Sequence, residues 1–142
     1  METSTDRPVS RDVAIRQIMS RHLVAIRSDC DLRVAVDTFL RTGLRHLVVV
    51  DEDRTFRGIV TSEQVLAALN ATGRRRVADH VRTTGLRVRA EDPVRRAARL
   101  MVEELVDALP VVDDAGRVIG IVSWSDIVAM VARRDLLSDR PG

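Results

Sequence analysis

Two unbroken apolar runs, His46 to Val50 and Ala108 to Val112, stand out from the polar positions around them. Short runs of branched residues bounded by turn formers predict strands buried on both faces. Ahead of the first run, Leu32, Ala35, Val36, Phe39 and Leu40 recur at i, i+3, i+4, i+7 and i+8. That period is one apolar face of a helix, and Gly43 stops it. Leu23 to Ile26 predicts a short strand before this helix. After the run, Asp51 to Arg54 turns the chain, Phe56 to Val60 returns as a strand, and Ser62 to Leu69 forms a second helix. The same order follows further on. Leu86 to Val88 predicts a strand, and Asp92 caps a helix with Pro93 in its first position. Strands over Ala108 to Val112 and Val118 to Val122 flank a turn at Asp113 to Gly116, and Trp124 to Ala132 predicts the last helix.

The two series are one series written twice. Gly58-Ile59-Val60-Thr61-Ser62-Glu63-Gln64 reappears 62 residues later as Gly120-Ile121-Val122-Ser123-Trp124-Ser125-Asp126. The same offset lays Val49-Val50-Asp51 on Val111-Val112-Asp113 and Leu32, Ala35, Val36, Phe39 and Leu40 on Val94, Ala97, Ala98, Met101 and Val102. The expected fold is therefore mixed α/β (α+β), two repeats of β-α-β-β-α over residues 12–70 and 77–134 joined by a linker at 71–76. A polar lead over 1–11 is expected to be disordered, and a polar tail over 135–142 to fray. One repeat has little core of its own, so two are expected to share one, packed about a pseudo-twofold axis. Any cleft between them then exists in two related copies. Apolar residues on the final helices (Val65, Leu66 and Leu69; Ile127, Val128 and Val131) suit a homodimer contact.

Composition narrows the chemistry. Hydrophobic residues make up 45% of the 142, enough for a core, but aromatics only 2%, too few for a base-stacking platform on single-stranded nucleic acid. All 23 basic residues are Arg, so Schiff-base and Walker-type lysine chemistry is excluded. The formal charge of +2 is too small to mark a polyanion binder, although Arg74-Arg75-Arg76 with Arg87, Arg89, Arg95, Arg96 and Arg99 forms a basic stretch. The single Cys30 makes neither an internal disulfide nor a cysteine metal site, and the scattered histidines offer no metal-ligand spacing; a reducing cytoplasm is the expected compartment. Asp29 and Asp31 beside Cys30 disfavour its thiolate. The polar lead lacks the apolar core of a secretory leader, and no apolar run approaches the ~20 residues that span a bilayer, so no membrane insertion is expected. No Gly-x-Ser-x-Gly elbow or Walker loop is present, and no catalytic residues are assigned.

The repeated signature resembles the cystathionine β-synthase (CBS) domain family. The matching features are a strand ending in Val-Val-Asp, an acidic turn, then Gly-Ile-Val-Thr/Ser-x-x-Asp opening a helix. They stand here as Val49-Val50-Asp51 with Gly58-Ile59-Val60-Thr61, and as Leu109-Pro110-Val111-Val112-Asp113 with Gly120 to Asp126. The resemblance implies a tandem pair, called a Bateman module, which is a regulatory binding module and not an enzyme. It implies no obligatory cofactor, and an adenine nucleotide (AMP, ADP or ATP) or S-adenosylmethionine as regulatory ligand in the inter-repeat cleft. A homodimer and a regulated partner protein are also implied.

By that resemblance the last residue of the Thr/Ser-x-x-Asp motif holds the ribose hydroxyls, and a basic pair before the other repeat's second strand meets phosphate. A carboxylate can accept from both ribose hydroxyls, and a helix N-terminus supplies free N–H groups. Asp126 with Arg45 and His46 is the complete set. Leu23, Val24, Leu44, Val48 and Ile121 are expected to line the adenine slot, with Ser123 and Ser125 flanking ribose and phosphate. The second set is degenerate: Thr61 and Gln64 with Leu86, Ala108 and Pro110. Gln64 replaces the acidic residue, and Asp107 opposes a phosphate by ~1 kcal/mol or more at contact. Ser123-x-x-Asp126 and Thr61-x-x-Gln64 also read as plain capping boxes. Trp124 reads more readily as a contact with a partner subunit than as a base stacker. Two further functions fit less fully: a ligand-independent oligomerisation or interaction module, and an Arg-mediated nucleic-acid binder.

Overall fold

Branched residues, which favour strands over helices, form the middle of each repeat. The computed structural model describes residues 13–71, 73–81 and 86–138. The first repeat contains β1 (Ala25–Arg27), α1 (Leu32–Thr42), β2 (His46–Val50), β3 (Phe56–Thr61) and α2 (Ser62–Leu69). The second contains β4 (Val88–Arg89), α3 (Val94–Glu104), β5 (Ala108–Val112), β6 (Val118–Ser123) and α4 (Trp124–Ser138). This is the mixed fold of two β-α-β-β-α repeats that the periodicity predicts. In each three-stranded sheet the branched run is the central strand, in the orders β1-β2-β3 and β4-β5-β6.

In the first sheet β2 runs parallel to β1 and antiparallel to β3, with Ile26 opposite Val49 and His46 opposite Thr61. Leu47 and Val49 join Leu32, Ala35, Phe39 and Val65 in one apolar cluster, so α1 and α2 cover the same sheet face. In the second sheet β4 runs parallel to β5, and Leu109 and Val111 pack with Val94, Ala97, Met101 and Ile127. Leu47 and Leu109 are equivalent positions, and both are at most 1% exposed.

Several boundaries differ from the sequence expectation. The first strand of each repeat begins two residues late, because pairing with the central strand starts only at Ala25 and at Val88. Asp92 is not the cap of α3: Pro93 holds the cap position with extended backbone, and the Asp92 carboxylate accepts from the Arg89 N–H at 2.9 Å. The first orphan donor of α3, the Val94 N–H, is satisfied by the Val13 carbonyl at 2.8 Å. Finally, α4 runs on to Ser138, past Ala132 where the apolar pattern ends and into the expected tail. The expected lead over 1–11 lies outside the described residues.

The compact units do not coincide with the repeats. One comprises Leu23–Gly85 with Asp114–Val118, and the other Leu86–Asp113 with the described residues up to His22 and from Ile119 on. Two short 3-10 turns missed by the sequence reading account for the shift at the start of each repeat. Ile15–Gln17 packs in the second unit and Val77–Asp79 in the first. They are equivalent by the 62-residue offset and make equivalent bonds. The Ile15 and Arg16 N–H groups donate to Asp92 and Ala90 carbonyls; the Val77 and Ala78 N–H groups donate to Cys30 and Ser28 carbonyls, all at 2.8–2.9 Å. Ile15 and Val77 are both 0% exposed within their clusters.

The helix ends show what duplication changed. Gly43 closes α1 in the left-handed region (φ 72°), donating its N–H to the Phe39 carbonyl. At the equivalent end of α3 stands Leu105 (φ 56°), which makes the same bond to Met101 and is 92% exposed. A left-handed side-chain residue carries a cost that glycine avoids, ~1–2 kcal/mol before glycine's larger chain entropy is set against it. Leu105→Gly is therefore expected to stabilise the protein by ~0.5–1 kcal/mol, read as a higher midpoint in urea denaturation.

Candidate functional site

Both motif helices start on a closed capping box. In the first unit the Gln64 N–H donates to Thr61 Oγ1 at 3.1 Å, and Gln64 Oε1 accepts from the Thr61 N–H at 2.9 Å. In the second, the Asp126 N–H donates to Ser123 Oγ at 3.3 Å, and Asp126 Oδ2 accepts from the Ser123 N–H at 2.8 Å and its hydroxyl at 2.9 Å. The Ser123 proton is thus committed to Asp126, so the 2.8 Å contact between the Ser123 and Ser125 hydroxyls is a bond donated by Ser125.

The boxes are alike in geometry and unlike in what they leave over. Among the described residues Asp126 Oδ1 has no hydrogen-bond partner, and the residue is half-buried. It presents an anionic acceptor held in place by the bonds to its sister oxygen. Gln64, with its oxygen already used, presents an amide NH2, a donor. A vicinal diol has two O–H groups to give, so only the Asp126 box offers the complementary free atom.

Each motif is tied to the residue before its own unit's central strand. The Ser62 N–H donates to the Arg45 carbonyl at 3.0 Å, and the Trp124 N–H to the Asp107 carbonyl at 2.8 Å. Arg45 and His46 are exposed, with His46 across the sheet from Thr61; Asp107, in the place equivalent to Arg45, is exposed too. The basic pair and its acidic counterpart therefore differ in charge on the same local scaffold.

The expected site residues divide between the two units. Leu23, Val24, Leu44, Arg45, His46 and Val48 lie in the first with Thr61 and Gln64. Ile121, Ser123, Ser125 and Asp126 lie in the second with Leu86, Ala108 and Pro110. Leu23 and Val24 precede β1 instead of lying within it. Val24 and Leu44 are partly exposed, at 37% and 43%, whereas Val48 is buried.

The sequence reading missed the segment at Met19 and Ser20. Ser20 exchanges both backbone hydrogen bonds with Ile121, at 2.8 and 2.9 Å. A Cβ on Gly120 would stand 2.8 Å from the Ser20 carbonyl and 3.0 Å from the Met19 sulfur. The motif glycine is there because another backbone lies against it. The usable signal was the offset itself, which maps Ile15 and Met19 onto Val77 and Val81.

Elsewhere several surface charges are paired. The Arg27 guanidinium, 2.6 Å from the Asp29 carboxylate, holds that carboxyl below the usual range, and the Arg33 N–H does the same for Asp31. Two anions thus flank Cys30. Arg75 and Arg96 of the basic stretch pair with Asp31 and Asp92 at 3.4 and 3.5 Å. Among the described residues no three His, Cys, Asp or Glu side chains cluster for a metal, and no helix is long and apolar enough to cross a membrane.

The family model described as CBS domain matches twice, over residues 15–71 and 77–138. The chain belongs to the CBS domain family and carries its domain as a tandem pair. A CBS domain-containing protein of Dictyostelium discoideum is 29% identical over 134 residues, covering 85% of this chain and 92% of that protein. Homoserine O-acetyltransferase of Methanosalsum zhilinae is 29% identical over 123 residues, which cover 84% of this chain but 24% of the enzyme. The chain thus spans about a quarter of that relative. Among solved structures, a CBS domain pair in complex with 5′-methylthioadenosine and S-adenosyl-L-methionine is 26% identical, with a TM-score of 0.72 covering 87% of this chain and 98% of that one. The cytosolic domain of the Mg2+ channel MgtE, in complex with ATP, is 27% identical with a TM-score of 0.70, covering 80% of this chain and 46% of that one. A CBS domain pair/ACT domain protein of Thermotoga maritima superposes at 0.75 over 86% of this chain and 98% of that one; at 22% identity it shows the fold alone.

Proposed function

We propose that this CBS pair is a regulatory module of the cytoplasm, not an enzyme, that binds one adenine nucleotide or related adenosyl ligand and passes its occupancy to a partner protein. Asp126 takes the ribose hydroxyls, Arg45 and His46 take phosphate, and Ser123 and Ser125 flank them. Leu23, Val24, Leu44, Val48 and Ile121 supply the apolar slot for adenine. The observation that carries the reading is the unpartnered Oδ1 of Asp126 on a closed capping box, set against the donor end of Gln64 in the other repeat. Two relatives above 25% identity, solved with adenosyl ligands, support the ligand class. The set around Gln64 and Asp107 is the degenerate one, so the expected stoichiometry is one ligand per chain. Signalling follows from linkage: the ligand shifts the population toward whichever conformation it binds better.

A thermal-shift screen of AMP, ADP, ATP, S-adenosylmethionine and GTP, followed by calorimetry on each hit, tests this. A ligand at a hundred times its dissociation constant adds ~2.7 kcal/mol. One site per chain is the expected result; two equal sites defeat the asymmetry, and no shift with any adenosyl compound defeats the reading. In that last case the ligand-independent interaction module gains, because Leu40, Leu66, Val102, Trp124 and Val128 form apolar surface at 46–80% exposure. The same surface underlies the second part of the proposal, that the chain forms a homodimer. A nucleic-acid role is disfavoured by the paired arginines and the low charge.

A further inference from the structure

The chain passes from one compact unit to the other between His22 and Leu23, inside a stretch, Arg21 to Val24, that forms neither helix nor strand. Both ends of the stretch are anchored. Before it, Ser20 exchanges two backbone hydrogen bonds with Ile121, and the Ser20 carbonyl and Met19 sulfur lie against Gly120. After it, β1 begins at Ala25, which pairs with Val48. Within it, the His22 N–H donates to Ser20 Oγ at 3.1 Å, while Arg21, His22 and Val24 stand exposed. Val24 and Leu44, at 37% and 43% exposure, precede the parallel strands β1 and β2, so both present apolar surface at the same end of that sheet. The equivalent stretch 62 residues on reads Thr83-Thr84-Gly85-Leu86, with glycine in the place of Leu23; its first three residues lie outside the described residues.

Resting on the adenosyl-ligand reading above, we infer that Arg21 to Val24 is a strap that closes on the bound base, and that its closure is how occupancy is reported. Chain length alone gives it the reach. Leu23 is three residues from Ser20, so its Cα stands within about 11 Å of the Ser20 Cα however the two units are arranged. Ser20 in turn is bonded to Ile121, so a base against Ile121 has Leu23 and Val24 tethered beside it. Closing covers the apolar side chains of Leu23 and Val24, and the ligand therefore favours the closed strap over the open one. Arg21 and His22, in the same four residues, are drawn in from their exposed positions as it closes. The stretch with Gly85 in place of Leu23 lacks half of this apolar pair, which matches the asymmetry of the two capping boxes.

Native-state trypsin cleavage tests the strap, because Arg21 lies inside it. AMP and S-adenosylmethionine, each at ~100 times the dissociation constant read by calorimetry, are expected to slow the cut after Arg21 at least ~10-fold, since cutting follows the population of the open segment. The cut after Arg74, exposed in the linker, is the internal control and is expected to change less than ~2-fold. A ligand that binds without protecting Arg21 would overturn the strap and leave the ligand reading standing. Equal slowing of both cuts would overturn it too, as general stabilisation. So would an Arg21 bond that already resists trypsin without ligand, because nothing would be left to close. Absence of calorimetric binding would remove the ligand reading and the strap with it. Leu23→Ala, folded by circular dichroism, is expected to reduce the protection at saturating ligand to under ~3-fold; full protection in that variant would overturn the grip assigned to Leu23.

Discussion

Replacing Ile15 with alanine is expected to lower stability by about 2–5 kcal/mol, a loss far out of proportion to its place near the start of the chain. Ile15 is 0% exposed and packs against Val88, Val94 and Leu109 of the other repeat. Its backbone, with that of Arg16, satisfies two carbonyls, and neighbouring Val13 accepts from the first N–H of α3. Truncation leaves a cavity among side chains already fixed by the β5 backbone, and the lost contacts are those that hold the segment down. Val77→Ala probes the same joint in the first unit, where the Arg75 carbonyl accepts from the Leu32 N–H at 2.7 Å. It removes fewer methyl groups and should cost less. Urea denaturation followed by circular dichroism measures both. A loss under ~1 kcal/mol for Ile15→Ala would show that the lead segment is a passive tether.

The core of each repeat was legible because two independent signals coincide there. β2 and β5 are branched runs, and α1 and α3 carry the helical period, so strand and helix were fixed by different physics at adjacent places. The two 3-10 turns carried neither signal. Each buries one apolar residue, Ile15 or Val77, and a single residue has no period. Asp92 was misread for a related reason: a carboxylate before Pro93 suits a cap or a tight turn equally, and the carbonyl of Val13, distant in sequence, took the helix donor. The capping boxes were legible in full, because their bonds are local to four residues. For the site, the sequence could name the residue types; which carboxylate oxygen stays free is a matter of bond direction, visible only in the fold.

That free oxygen yields the sharpest expected effect on binding. Asp126→Asn should weaken AMP or S-adenosylmethionine at least ~30-fold while leaving the melting temperature of the unliganded protein within a degree or two. An asparagine carbonyl can still accept from the Ser123 N–H, as Gln64 does from Thr61, so the helix start keeps its cap. What changes is the atom facing outward. An anionic acceptor becomes an NH2 donor opposite two hydroxyl donors, so two charge-assisted bonds of ~1.5–3 kcal/mol each are lost or strained. Asp126→Ala would weaken binding too, but it also opens the capping box, and its effect mixes fold with site. The asparagine variant separates them: calorimetry reads the ribose contact, and the melt without ligand reads the cap. Unchanged affinity in a folded Asp126→Asn protein would mean that Asp126 is a helix cap and nothing more. Lost affinity at unchanged stability would assign the ribose to the one capping box among the described residues that has an acceptor to spare.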